Sequence, residues 1–290
     1  MNTFLEALVS QPFMQNALLG GLLASVACGV AGTYVVVRRI GYIAGGIAHA
    51  VLGGMGLAYF LGRSPFIGAI IAALVAALII GWVSMRWKKQ EDTTISALWA
   101  IGMAVGVLLI ARTPGYNVDL MSYLFGNILM IPKSQLTLIF WLDVGIVLLV
   151  LLFFKQLLAV SFDEEFAALR QVPVNFFSML LLCLVALTVV ILIQVVGLIL
   201  VIALLALPAA IAGQYVHSLS RMMLFATLLG FFFTTGGLAV SYQYDLPSGA
   251  TTVLLTGLAY LTSSIGVCLW RRWQVRRATH SCSIPETRAE

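Results

Sequence analysis

Nine long apolar runs divide the chain, at residues 13–37, 47–61, 66–85, 95–111, 136–158, 174–193, 195–212, 222–241 and 248–270. None alternates apolar and polar positions at the two-residue period of a barrel strand, and most approach the roughly 20 residues a helix needs to cross a bilayer. Lipid offers backbone amides and carbonyls no outside partner, so such runs must be helices. The pattern therefore predicts an all-α polytopic bundle of about nine spans (eight or nine), of which the second, fourth and seventh are short.

Two stretches between the runs carry a weaker pattern. Residues 112–133 hold an apolar piece from Leu120 to Ile131 that is too short to cross. It reads as an interfacial or re-entrant helix over one mouth of the bundle, or as a surface loop. Residues 161–172 place Phe162, Phe166 and Leu169 at helical spacing among Asp163, Glu164 and Glu165, with Arg170 near the end and Pro173 after it. A short amphipathic helix along the membrane surface fits this spacing, as does a plain solvated connector.

Charge then orients the bundle. With the N-terminus outside, the inner loops and C-terminal tail hold Arg38, Arg39, Arg86, Lys88, Lys89, Lys155, Arg170, Arg221, Arg271, Arg272, Arg276, Arg277 and Arg288, against Arg63, Arg112 and Lys133 outside. The asymmetry supports a cytoplasmic C-terminus and an odd number of crossings.

Composition narrows the class. Only 9% of the 290 residues are charged, where a soluble domain carries about 25%, and the mean hydropathy is +1.05. The net charge of +5 resides at the ends of apolar runs rather than on one face, so it reads as topology and not as a nucleic-acid surface. No basic stretch and small-residue cleavage site precede the first run, which is expected to serve as the insertion signal itself. Residues 1–277 read as the membrane domain and 278–290 as a polar, disordered cytoplasmic tail. Cys28, Cys183, Cys268 and Cys282 show no ligand spacing and read as small apolar residues without a disulfide.

Chemistry is sparse. No Gly-rich run ends in a phosphate-binding lysine, and neither a hydrolase elbow nor an HExxH helix is present. The chain does not read as an enzyme. Any nucleotide energy has to come from another subunit.

Ionisable groups inside spans are costly and mark candidate sites. His49 lies in the second run, where Gly46, Ala50 and Gly54 recur every four residues and permit close helix approach. Its imidazole is a metal-ligand candidate, or a group hydrogen-bonded to a neighbouring helix. Asp143 is expected near the outer end of the fifth run, with Asp119 and Asp245 at or beyond the outer interface. All three read as caps or surface groups, or as acids drawing cations to a mouth. Asp245 precedes Leu246-Pro-Ser-Gly, a helix start. His217 reads as interfacial.

In order along the chain come Leu18-Leu-Gly-Gly-Leu-Leu-Ala-Ser-Val-Ala-Cys-Gly, Val37-Arg-Arg-Ile, the His49 segment and Tyr123-Leu-Phe-Gly-Asn-Ile-Leu. Ser161-Phe-Asp-Glu-Glu-Phe-Ala, Val196-Gly-Leu-Ile-Leu-Val-Ile-Ala-Leu-Leu-Ala-Leu-Pro-Ala-Ala and Asp245-Leu-Pro-Ser-Gly-Ala follow. Over nearly its full length the chain resembles the permeases of ATP-binding-cassette importers for zinc and manganese. The resemblance implies a homodimer in the bacterial inner membrane, two cytoplasmic ATPase subunits, and an extracytoplasmic metal-binding lipoprotein or periplasmic protein that delivers the metal. It also implies that the segment containing Ser161, Phe162, Asp163, Glu164, Glu165, Phe166 and Arg170 is the coupling helix for the ATPase. No permanently bound cofactor is implied, only the transported ion.

One departure from the family pattern concerns the path itself. The family carries an aspartate four residues before the histidine, on the same helical face; Gly45 stands there in this chain. Loss of a hard oxygen ligand favours zinc over manganese. A permease for a metal chelate would need a wider, more polar path. A secondary transporter driven by ions would need several intramembrane acids, which the chain lacks.

Overall fold

The computed structural model describes residues 4–87, 90–113, 126 and 128–281. Twelve α-helices form the described part: α1 (Phe4–Ser10), α2 (Pro12–Arg38), α3 (Gly41–Phe60), α4 (Pro65–Arg86), α5 (Glu91–Arg112), α6 (Lys133–Leu152), α7 (Phe154–Phe162), α8 (Glu164–Leu169), α9 (Val174–Val196), α10 (Val201–Tyr215), α11 (Leu219–Tyr244) and α12 (Ser248–Ser281). Eight of these are long and apolar enough to span a membrane, and α10, with 15 residues, is a shorter ninth apolar helix. The chain is an all-helical polytopic membrane bundle.

The helices start and stop where local chemistry dictates. Pro12 and Pro65 open α2 and α4, where a missing amide costs nothing. Arg39 ends α2 in the left-handed region and sends its amide back to Val35 and Val36. Gly197, at φ 85°, ends α9 and delays α10 to Val201, which shortens the seventh expected span. The fifth expected span differs too. The helix closes at Phe153, so what reads as one run, 136–158, is α6 followed by α7.

Two helices form the centre. α2 packs against α11, α10, α9 and α6, while α9 packs against α4, α2 and α3. Along α2 glycine sets the spacing: a Cβ on Gly29 would lie 1.9 Å from Thr227 Oγ1 of α11, and one on Gly32 would lie 2.1 Å from the Leu205 carbonyl oxygen of α10. Hydroxyls buried in these spans turn back onto their own helix. Ser25, Thr33, Thr188 and Thr234 each donate to the carbonyl four residues earlier, so these hydroxyls are satisfied within their own spans.

The bundle has two chemically different ends. One gathers Arg38, Met85, Glu91, Glu164 and Asn175 around a common cavity, and so joins α2, α4, α5, α8 and α9. At the other, Ile128 and Ile131 pack over Gly21 and Gly20 of α2, and Gly126, at φ 72°, presses its backbone against Val196 and Gly197. A three-residue 3₁₀ turn, Ile128–Met130, is thus docked over that mouth. Residues 114–125, where most of the expected surface helix falls, lie outside the described residues. The last helix runs to Ser281, into the segment expected as tail, and 282–290 lie outside the described residues.

Candidate translocation site

Small residues bring α3 into contact with its neighbours on two sides. Toward α5, a Cβ on Gly102 would meet Ala50 Cα at 2.5 Å, and one on Gly106 would meet the Leu52 carbonyl oxygen at 2.5 Å. Toward α4, Gly54 and Gly68 face each other at similar range. Backbones this close leave side chains on α3 little lateral room.

His49 occupies this helix, 8% exposed, with its ring stacked on Trp99 of α5. The indole is fixed in turn: its Nε1 donates to Met103 Sδ one turn along. No hydrogen bond reaches the buried His49 Nδ1. The expectation that a neighbouring helix would satisfy His49 by hydrogen bonding is therefore not met at this atom, which leaves a lone pair or a proton for a ligand.

Gly45, one turn before His49, faces α10. A Cβ there would come within 2.7 Å of Ile202 Cδ1, the far end of a flexible side chain. The space a carboxylate would fill beside His49 is taken by Ile202.

Asp143 is 4% exposed and its Oδ1 has no hydrogen bond. Because α6 begins at Lys133 and ends at Leu152, this carboxylate stands at mid-helix and not near the outer end. It does not join His49: α3 packs on α2, α4, α5, α9 and α10, whereas α6 packs on α2, α7 and α9. Asp245 is exposed, terminates α11 in the left-handed region and returns its amide to the Ser241 carbonyl, and α12 starts just after it at Ser248, within Leu246-Pro-Ser-Gly. Asp119 lies outside the described residues. Among the described residues no three His, Cys, Asp or Glu side chains meet as a metal cluster. His217 is exposed between α10 and α11.

The amphipathic segment divides differently from its expected bounds. Ser161 and Phe162 close α7, and Asp163 caps α8 by accepting the Phe166 amide at 2.9 Å. Only Ala167 of α8 is buried; Phe162, Phe166 and Leu169 point outward at 65, 50 and 84% exposure. Arg170 covers the Phe166 ring, 5.1 Å from its centroid, Glu165 is exposed, and Glu164 pairs with Arg38. Ser161 Oγ is buried and unpartnered. Trp99 had no signal in the sequence and Arg38 only that of a topology charge within Val37-Arg-Arg-Ile; the fold brings them to His49 and Glu164.

The model of the ABC 3 transport family matches residues 10–267. The chain belongs to the ABC 3 transport family. Within it, an uncharacterised membrane protein of Synechocystis sp. is 47% identical over 264 residues, covering 90% of this chain and 94% of that one. The manganese transport system membrane protein MntC of Halalkalibacterium halodurans is 35% identical, over 95% of this chain and 96% of its own. Among solved structures, PsaBC from Streptococcus pneumoniae in complex with Fab superposes with a TM-score of 0.82 at 35% identity, covering 90% of this chain and 94% of that one. This ABC 3 family member is a multi-pass protein of the bacterial inner membrane.

Proposed function

We propose that the chain is the translocation subunit of an ATP-driven importer that brings a divalent transition metal, zinc foremost, into the cytoplasm. The observation that carries this reading is His49 Nδ1, buried, unpartnered and set in a membrane span. Imidazole suits zinc; without a carboxylate at position 45 the face lacks the hard oxygen that manganese prefers. A single donor also suits passage, because a closed cage of ligands would hold the ion.

The other parts follow the same reading. Energy comes from separate ATPase subunits, for which α8 offers outward Phe166 and Leu169 and the end of α7 offers Phe162. The excess of basic residues supports a cytoplasmic side for α8 and the C-terminus. Two copies form the path, and a metal-binding lipoprotein or periplasmic protein loads it beside Asp119 and Asp245. Asp143 is a second candidate contact for the ion. The bundle itself binds no permanent cofactor and catalyses no reaction.

Manganese is the second reading, favoured by the name of the 35% identical relative. Uptake of zinc, manganese and iron into proteoliposomes holding this chain, its ATPase and its binding protein decides between them. ATP-dependent zinc uptake lost in His49→Ala supports the proposal; uptake without ATP or ATPase overturns it.

A further inference from the structure

The Arg38 guanidinium joins three elements at the α8 end of the bundle. It forms an ion pair with Glu164, in the first turn of α8, and its Nη1 donates to Ser178 Oγ of α9 at 3.2 Å. Arg38 is the last residue of α2. Its side chain is 16% exposed against 45% for Glu164, so the cation is held within the bundle and the carboxylate stands at the surface.

Chain geometry leaves this pair little slack. Arg39, directly after Arg38, and Gln171, shortly after α8, both take the left-handed conformation with φ 58°. Arg38 thus sits directly beside a left-handed residue, while Glu164 opens the six-residue α8 that ends just before the other. Elsewhere α8 packs on its chain neighbours α7 and α9. A cavity of about 430 Å³, lined by Arg38, Ser84, Glu91, Glu164 and Ser178 among others, lies beside the pair, so the space toward α4 and α5 is not filled solid.

α2 is the helix on which α6, α9, α10 and α11 converge. A displacement of Glu164 along the Arg38 bond is therefore delivered to the centre of the bundle. We propose that the Arg38–Glu164 pair is the strut through which α8 passes the movement of the ATPase into the transmembrane core. This rests on the reading of α8 as the coupling helix. Arg38 is a positioning residue: it touches neither metal nor nucleotide, and a strut differs from a mere fastening in what its loss does to coupling.

The experiment measures ATP hydrolysed and metal accumulated by the reconstituted complex for wild type, Glu164→Ala, Arg38→Ala and the reversed pair Arg38→Glu with Glu164→Arg. Co-purification of the ATPase and a thermal melt accompany each. The strut predicts that both single variants keep the ATPase bound and hydrolysing but move about three- to tenfold less metal per ATP, the range seen for residues within a coupling relay. The reversed pair regains most of that ratio. Should an alanine variant fail to assemble, Glu164→Gln and Arg38→Gln, which keep shape and lose charge, replace them.

Unchanged metal per ATP in the single variants overturns the strut, as does a reversed pair no better than either single. Loss of ATPase binding in Glu164→Ala alone, with Arg38→Ala normal, makes Glu164 a direct docking contact and also overturns it. A wild type without ATP-dependent uptake fails at an earlier step: it overturns the importer reading, and the strut with it.

Discussion

The imidazole of His49 lies flat on the indole of Trp99, ring centroids 4.0 Å apart and planes 9° from parallel. The stack holds the histidine plane against α5 and leaves Nδ1, at the ring edge, buried without a hydrogen bond. Removing the imidazole should cut ATP-dependent zinc uptake by about tenfold or more, the scale on which metal-site contacts act. Trp99→Phe keeps an aromatic face and should retain most of the uptake, whereas Trp99→Ala frees the ring and should fall toward His49→Ala. Equal, wild-type uptake in all three would remove His49 from the path.

Gly45 and Ile202 define the selectivity test. Because the contact beyond Gly45 is only the tip of Ile202, Gly45→Asp alone is overpacked and should cost about 1 to 3 kcal/mol of stability. Pairing it with Ile202→Ala opens the space and places a carboxylate one turn from His49. The double variant should shift the ratio of manganese to zinc uptake upward, measured by competition in one vesicle preparation. An unchanged ratio would mean that position 45 does not face the ion.

Glycines on the same chain should respond in opposite directions. Gly102→Val drives a side chain into the Ala50 backbone and should lower stability by about 2 to 3 kcal/mol, read as a lower melting temperature in detergent. A Cβ on Gly145 of α6 meets nothing within 4 Å, so Gly145→Ala should raise stability by up to about 1 kcal/mol. Matching losses at both sites would contradict the packing described for α3 and α5.

Asp143 is a carboxylate at the middle of an apolar helix with one oxygen unpartnered. Its replacement by leucine should stabilise the bundle by roughly 1 to 3 kcal/mol, the cost of an acid at membrane depth. Uptake should fall about tenfold in the same variant, because a costly unpartnered acid is retained for what it does. A stability gain with normal uptake would make Asp143 dispensable to transport.

Much of the bundle is legible from hydropathy, because a span must be about 20 apolar residues long and its ends must meet water. The breaks inside runs are not. Nothing around Phe153 marks the end of α6, since apolar residues continue through Leu158 with only Lys155 and Gln156 between. That single missed break is why Asp143 reads as near the outer end. His49 stands out as a rare ionisable residue in a glycine-rich run, yet its partner Trp99 lies on another helix and looks like any apolar filler. Arg38 likewise reads as a topology charge, although its position makes it a partner of Glu164.

Residues 161–172 read as one short amphipathic helix along the membrane surface or as a solvated connector, and the break at Asp163 that starts α8 does not show in that spacing. Phe162, Phe166 and Leu169 face outward while small Ala167 turns inward. Phe162 at the end of α7 and Phe166 and Leu169 on α8, with Asp163 capping α8 and Arg170 over Phe166, form a preorganised knob. Such a knob loses little freedom on entering a groove, so a few of its side chains should carry most of the docking energy. Phe166→Ala should weaken ATPase binding by about 2 kcal/mol or more, close to thirtyfold, in a titration of purified ATPase onto the permease. The melting temperature of the isolated permease should not change, because the ring is half exposed and supports no core residue. A lower melting temperature with normal ATPase affinity would mean that Phe166 belongs to the fold and that the docking surface lies elsewhere.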